Sequence, residues 1–460
     1  MKSTHTIRRK ELAAAISMLL AFPGMAIAQD QTSDQAAEDD MITEEVVVTG
    51  IRRGLMNSVD IKGTSTSIVE AISAEDIGKL PDVSITDSLA RLPGVTAQRL
   101  NGRSQVLSVR GLGPDFTTAL LNGRPQVSSG DNRGVEFDQY PSEMISQAIV
   151  YKTPDATLMG QGLAGTVDMQ TIRPLAYGKQ ALVANARYVW NDIDALNDDA
   201  SDDGWRGSFT YVDQFLDDTV GIALGIAYAD TPTQSERYNA WGYPDVDGNA
   251  VIGGAKPFAQ SNELERTGII GTLEWQVSDR VNTSLDLYYT DFQETQYLRG
   301  IELPLQWSSA QLQPGYQVED GLITSGTFTN VKGVMRNDLN QRDSELLAGG
   351  WNISWDVGDS WVLTGDLSYS SMERNDVLLE TYSGTGPNGE PEFDTMGFQM
   401  RSGQGALFSS ILDYTDPNLV MLTSPQGWGG DIVEGGQLGY NNSPSIEDEL
   451  TTLDLRALYE

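Results

Sequence analysis

The stretch Thr219–Tyr228, TVGIALGIAY, decides how the chain is read. Side chains of an extended strand point alternately to its two faces, so Val220, Ile222, Leu224, Ile226 and Tyr228 share one side. Gly221, Ala223, Gly225 and Ala227 share the other. The same period recurs in VNTSLDLYYT, where Val281, Thr283, Leu285, Leu287 and Tyr289 oppose Asn282, Ser284, Asp286 and Tyr288. It recurs again in WNISWD, where Trp351, Ile353 and Trp355 oppose Asn352, Ser354 and Asp356, and in LTTLDLRALY at the end. Segments of about ten residues alternating in this way carry the dyad signal of a transmembrane β-barrel.

The connections point the same way. Short turns at Leu216 to Asp218, Ser278 to Arg280 and Gly358 to Ser360 alternate with long loops at about Asp230 to Leu264, Phe292 to Arg342 and Met372 to Glu447. Short turns on one side and long loops on the other are what an outer-membrane barrel requires. A soluble β-sandwich or propeller alternates too, but it does not regularly place Trp and Tyr at segment ends, where aromatic girdles sit. Eight strands are expected over residues 179–460, centred near 185, 209, 224, 271, 286, 351, 366 and 455. A barrel of about eight strands is filled by its own side chains and has no room for the domain that precedes it, so the expectation is a C-terminally truncated piece of a larger barrel.

That preceding region, residues 51–173, reads as a small α+β domain. SAEDIGKLPD suggests an N-cap at Ser73, with Asp76 three residues on and a stop before Pro81. SITDSLARLPG repeats the device, with Ile85, Leu89 and Leu92 at helical spacing and Pro93-Gly94 as the stop. VLSVRG, ALLNG and AIVYK read as short strands. Upstream, residues 1–28 have the form of a secretory signal: a basic start, the apolar run LAAAISMLLAF and Ala26-Ile27-Ala28 as a cleavage site. Residues 29–50 are a polar, acidic leader that ends in the β-prone triplet Val46-Val47-Val48, with no pairing strand nearby.

Composition excludes several function classes. With 65 acidic against 30 basic residues the formal net charge is −35, which argues against nucleic acid, whose phosphates need a basic surface. The chain has no cysteine, and its one histidine, His5, lies in the expected signal segment. The exported protein therefore lacks a His-based triad, a thiolate nucleophile, a His or Cys zinc site and a disulfide. Neither an enzyme nor a cofactor is expected. GQGLAG (Gly160–Gly165) satisfies GxGxxG, yet TVDMQT after it alternates as a strand where a phosphate cradle must open a helix. Its glycines are read as turn and close-approach positions. PDVDGN (Pro244–Asn249) resembles a fragment of a calcium loop without the full ligand ladder or the closing glutamate, and is read as a plain turn. The acidic run Asn197–Asp203 is read as a solvated loop tip.

In order along the chain, EEVVVTG, LARLPGVTAQR, LSVRGLGPDFTTALLNGRP, YPSEMISQAIVYKTPDA and GLAGTVDMQT resemble the plug domain of TonB-dependent outer-membrane transporters. IRRGL followed by IVEAISAEDIGKLPD is most similar to the Xanthomonas- and Caulobacter-type group often linked to oligosaccharide uptake. The resemblance implies a 22-stranded barrel in the outer membrane of a Gram-negative cell, occluded by the plug, of which about eight strands are present here. It also implies a TonB box at Glu45, Val46, Val47, Val48 and Thr49, available to a TonB-type periplasmic energy-transducing protein. An extended β-branched segment suits that task, because it adds to a sheet edge through main-chain hydrogen bonds. Only about sixteen residues separate Ala28 from Glu45, so no periplasmic signalling domain is expected.

The ligand is expected to be an oligosaccharide, with an iron chelate of siderophore type as the alternative within the family and a passive porin or adhesin as the alternative outside it. Aromatic faces stack on sugar rings, and the outer loops hold Tyr238, Trp241, Tyr243, Trp307, Tyr316, Tyr382, Trp428 and Tyr440 among many Asp, Asn and Gln residues. Trp241, Tyr243, Trp307 and Trp428 are the loop candidates for ligand contact. Arg99, Arg103, Arg124 and Arg133 are candidates at the plug apex, with pairing to barrel-wall acids as their other reading.

Overall fold

The computed structural model describes residues 56–73, 84–158, 160–386 and 392–459. The signal segment, the acidic leader, Glu45 to Thr49 and the helix expected at 74–80 lie outside the described residues. The plug begins with helix α1 (56–64) and is built on a five-stranded sheet ordered β1-β6-β7-β4-β5. These strands are β1 (Val69–Ser73), β4 (Thr117–Leu121), β5 (Arg124–Pro125), β6 (Gln147–Tyr151) and β7 (Gly165–Gln170), with a separate hairpin of β2 (Val95–Leu100) and β3 (Arg103–Val109). Ser73 is thus the last residue of a strand. Helix α2 (Ile85–Leu89) starts where the pattern predicts: Ser84 Oγ accepts from Thr86 N at 3.1 Å, and Ile85 and Leu89 are buried. It ends a turn earlier than the Ile85-Leu89-Leu92 spacing suggests, and Leu92 packs on the core from the turn that follows.

GQGLAG is a turn into β7. A Cβ on Gly162 would lie 2.5 Å from the main-chain oxygens of Phe116 and Gly165, so the β4–β7 approach tolerates only glycine there. On β1, Glu70 is held by Lys62 at 2.7 Å and Lys152 at 3.1 Å. Burial works against its carboxylate, but the bonds to the two lysines outweigh it and hold Glu70 below the ordinary carboxylate range.

After α3 (Pro174–Tyr177) the chain becomes one antiparallel wall. Its strands are β8 (Ala181–Trp190), β9 (Asp203–Phe215), β10 (Val220–Asp230) continued by β11 (Thr233–Ala240), then β14 (Gly254–Ser278), β15 (Val281–Pro304), β19 (Val334–Val357) and β20 (Trp361–Gly384). The last is β24 (Gly439–Asn442) continued by β25 (Ser445–Tyr459), paired to β20, whose far end also pairs with the short β23 (Met421–Leu422). Sequence neighbours pair throughout, in the up-and-down order that short turns dictate. Strand parity is as the sequence predicts: Leu224 and Tyr228 are exposed outward, whereas Gly221, Ala223, Gly225, Ala227 and Ala229 are buried inward.

The inward residues are small because the plug comes close. A Cβ on Gly268 would meet Pro141 Cγ at 2.6 Å, and one on Gly221 would meet Leu175 Cδ2 at 2.9 Å. The outward face is apolar and rimmed by aromatics. Trp275, Trp355, Trp361 and Tyr459 sit near the short turns, and Tyr188, Trp190, Trp205, Tyr228 and Tyr369 sit higher up the wall. From Trp275 to Thr267, the cross-strand neighbour of Tyr228, is eight residues, or roughly 27 Å along the strand before tilt. The apolar band of an outer-membrane barrel is about 25 Å tall. At the level of Thr267 the outward positions turn acidic: Asp291, Glu345, Glu373 and Glu447 are directly opposed on successive strands. Like charges so placed repel, and are tolerated in water but not in hydrocarbon.

Above that level the structure departs from the sequence reading. The segments read as long loops are largely strand: β14, β15, β19 and β20 are 24 or 25 residues long. Beyond the apolar band both faces are polar, as Glu263, Glu265, Gln293 and Asp343 on the outer face and Asn262, Glu294, Gln296 and Arg342 on the inner face illustrate, so hydrophobic alternation vanishes while backbone pairing continues. The remaining loop chain forms a second sheet. It contains β12 (Asp245–Val246), β13 (Asn249–Ala250), β16 (Gln311–Leu312), β17 (Gln317–Glu319), β18 (Leu322–Val331), β21 (Asp394–Arg401) and β22 (Gly405–Ser410). PDVDGN is its β12–β13 turn, with Asp247 and Gly248 at positive φ. This sheet has its own core, including Ile252, Leu305, Ile323, Phe328, Met396 and Phe398, with the Phe328 and Phe398 rings 5.4 Å apart. Phe328→Ala should destabilise this sheet by about 3–5 kcal/mol. Limited proteolysis should then cut within residues 305–332 and 392–411 while wall strands stay protected.

Candidate functional site

Two polar regions stand out: the seam between plug and wall, and an open vestibule beyond it. At the seam, Arg124 from β5 is buried with 7% of its side chain exposed. Its Nη1 donates to Asp286 on β15 at 2.5 Å, and its Nε and Nη2 donate to Asp366 on β20, each at 2.9 Å. Arg173 donates to the same Asp286 at 2.9 Å, while Thr272 and Asn352 donate to the two aspartates at 3.1 and 2.9 Å. Burial pulls the Arg124 pKa down, but the bonds to Asp366 and Asp286 outweigh it and leave it raised. A Cβ on Gly350 would lie 2.5 Å from Arg124 Cδ, so the wall glycine makes room for this side chain.

The plug segment at 129–144 is gripped similarly. Arg374 donates to Ser129 O at 2.7 Å and to Asp131 at 2.9 Å. Arg342 meets Glu136 at 3.3 Å, and Arg206 meets Glu143. Tyr288 OH donates to Gln139 O at 2.9 Å, and its ring stacks on Tyr140 at 5.3 Å.

The vestibule is a cavity of about 780 Å³ bounded by inward positions of β11, β14, β15, β19 and β20. Its lining includes Trp241, Trp428, Tyr238 and Tyr382, with three cations, Arg237, Lys256 and Arg336, against three acids, Glu302, Asp338 and Glu380. Arg336 is clamped by Asp338 and Glu380, each at 2.7 Å, and also by Glu302, which Lys256 meets at 2.6 Å. Lys256 lies over the Trp241 ring at 5.3 Å, Arg336 over Tyr382 at 5.0 Å, and Trp428 packs edge-on against Tyr382 at 5.3 Å. A smaller cavity of about 180 Å³ lies between this wall and the β2–β3 turn, lined by Asn101, Gln105, Glu294, Gln296, Asn340 and Arg342 among others.

The sequence candidates divide accordingly. Trp241 and Trp428 meet in the vestibule, 187 residues apart in the chain. Trp307, 63% exposed, packs on Gly253 at the base of the loop sheet, and Tyr243 is exposed nearby; neither lines the vestibule. Arg124 and Arg103 pair with wall acids at the seam instead of presenting a free cation to a ligand. Arg99, 65% exposed, bonds to Asp87 within the plug. Arg133 is exposed beside a cavity of about 570 Å³ between the plug and residues 446–450 of β25. The sequence reading missed Lys256, Glu302, Arg336, Asp338 and Glu380, which share the inward parity of strands that had been taken for loops.

Fold and site together comprise a plug held by paired charges against an antiparallel strand wall, below an aromatic and charge-balanced vestibule. Residues 62–167 match the TonB-dependent Receptor Plug Domain family. Solved structures with similarity include the ferric enterobactin receptor PfeA of Pseudomonas aeruginosa (13% identity, 75% of this chain, 60% of that chain, TM-score 0.37). YddB, an outer membrane transporter of Escherichia coli, gives 14% identity over 74% of this chain and 57% of that one, with TM-score 0.35. The siderophore receptor PirA of Acinetobacter baumannii gives 12% identity over 76% and 75%, with TM-score 0.32. The chain spans about 60% of the length of the first of these. No curated protein matches it.

Arg124→Met should leave Asp286 and Asp366 short of a buried partner and cost about 3–5 kcal/mol. The plug unfolding transition followed in urea should shift to lower denaturant, and Arg124→Lys should recover only part of the loss, because an ammonium cannot serve both carboxylates in the same fork geometry.

Proposed function

We propose that the chain works as an outer-membrane import receptor, in which a ligand bound in the vestibule licenses movement of the plug and a TonB-type periplasmic protein supplies the work through Glu45 to Thr49. The observation that carries this reading is the seam. Around a shared apolar cluster, the plug is fastened to the wall by ion pairs and hydrogen bonds whose groups can be rehydrated when it moves, at Arg124, Arg173, Arg206, Arg342 and Arg374. The outward apolar band and its aromatic rims support placement in an outer membrane. The β-branched stretch from Val46 to Thr49, upstream of the plug, supports capture by strand addition to a partner sheet.

For the ligand, the vestibule favours a neutral, polyhydroxylated molecule such as an oligosaccharide. Its cations and acids balance and largely bond to one another, which leaves aromatic faces and amides for apolar ring faces and hydroxyl groups. A volume near 780 Å³ falls within the usual range for a small-ligand site.

Val47→Pro should abolish energised uptake while leaving ligand binding to purified protein unchanged, because proline removes a donor needed for strand pairing. Loss of binding in that variant would refute the role of Glu45 to Thr49. Trp241→Ala, with Trp428→Ala as a second variant, should weaken oligosaccharide binding roughly two- to tenfold, since a stacked aromatic ring contributes about 0.5–1.5 kcal/mol beyond its buried area. Titration by intrinsic tryptophan fluorescence of the remaining residues, across a panel of neutral oligosaccharides, reads this directly.

A further inference from the structure

Where the turn Phe137–Gln139 of the plug meets β14 and β15, a buried charge cluster is poorly paired. Arg103, Asp138 and Glu294 have 9%, 4% and 6% of their side chains exposed. Arg103 Nη2 lies 2.9 Å from Glu294 Oε2, but its Nη1 is 3.6 Å from Asp138 Oδ2. Among the described residues, no nitrogen of the Arg103 guanidinium and neither carboxylate oxygen of Asp138 makes a well-formed hydrogen bond. One guanidinium thus serves two carboxylates, with the Phe292 ring 5.4 Å from its centre. The charged groups facing Asp138 are Arg103 from β3, Glu136 from its own turn, Glu294 from β15 and Arg266 from β14. Arg266 donates to the main-chain oxygen of Asp138, and Glu136 is engaged by Arg342.

We propose that Asp138 is a proton-binding latch at the plug–wall seam: taking up a proton there tightens the plug in its seat, and losing it loosens the plug. A protonated carboxyl removes the excess buried negative charge beside Glu294 and gains a donor, so the seated geometry suits the neutral acid better than the anion. In the Arg124 pairs, by contrast, each carboxylate is met by well-formed donors.

Burial, with the charges of Glu136 and Glu294 adding and those of Arg103 and Arg266 opposing, pushes Asp138 up to about 6. The sign follows. An acid whose seated-state pKa is raised favours seating fully below its free value near 3.8, and that contribution fades as pH rises through about 6. Seating is therefore firmer in mild acid than at neutral pH. This holds whatever the ligand, and the test uses none.

The chain has no cysteine, so Ala348→Cys, on the inner wall beneath the plug and 3% exposed, gives a single thiol that reacts only when the plug lifts. Maleimide labelling of the full chain in detergent micelles is measured from about pH 5 to about pH 8 and normalised to the unfolded chain, which removes the pH dependence of the thiolate itself. Labelling should rise about tenfold or more across this range with a midpoint near 6, and Asp138→Asn should label slowly throughout. A flat profile in the Ala348→Cys protein, or a pH profile retained by Asp138→Asn, would overturn the proposal. If Asp138→Asn does not fold, Glu294→Gln decides. It removes the competing carboxylate, so the midpoint should move to lower pH, and an unmoved midpoint counts against the latch.

Discussion

The two faces of the wall must satisfy opposite surroundings, and the pairing of Arg124 with Asp286 and Asp366 shows how the inner one does so. Outward, the strands present Leu, Ile, Trp and Tyr. Inward, they present small residues and charges, because the space is taken by a folded domain with polar groups of its own. Burying a charge costs several kcal/mol unless it is paired and hydrogen-bonded, so each arginine brought to the seam needs its acid at a fixed position on the facing strand. Asp286 and Asp366 meet that need with Thr272 and Asn352 as further donors. The wall glycines are part of the same constraint. Gly350 leaves room for the Arg124 side chain, and Gly268 leaves room for Pro141.

How much of this the sequence discloses depends on the range of the interaction. Strand parity is local, and TVGIALGIAY, VNTSLDLYYT and WNISWD form strands with the faces their alternation predicts. The start of α2 is local too, since Ser84 caps the helix that its own next residues form. The distal halves of β14, β15, β19 and β20 are different. There the strands leave the apolar band, hydrophobic alternation disappears, and what remains is backbone pairing, which leaves no mark on residue type. Chain partners far apart in sequence were equally opaque. Nothing around Arg124 tells that its acids lie 162 and 242 residues away, and so it read equally well as a ligand contact. Trp241 and Trp428 stood out as aromatic loop residues, but the charged set between them did not, because its shared inward face exists only once those segments are strands.

The same polar residues also connect the two regions. Asn340 borders both the vestibule and the smaller cavity beneath it, where Glu294 and Arg342 also face. Glu294 is charge-paired with Arg103 of the plug, and Arg342 with Glu136. Residues of the vestibule floor and plug side chains are thus linked through direct neighbours, without the wall's backbone ladder between them. Contiguity alone is not coupling, which needs an element with two arrangements that both sites bias. The turn Phe137–Gln139 is short, buried, and gripped through its main-chain oxygens by Tyr288 and Arg266.

On the proposed import reading, a plug that stays put and yet moves is not fastened by apolar burial alone. Detaching apolar surface exposes it to water at about 25 cal/mol per Å², with nothing to compensate along the way. Ion pairs behave differently: water entering the seam solvates both partners, so the barrier to parting is far smaller than the strength of the closed contact in isolation. The described seam combines the two. Tyr288, Ile270, Leu346 and Ala348 of the wall join the plug's hydrophobic cluster, and the paired arginines surround it. A wall lined only with leucines would seat the plug as firmly, but water could not help to release it.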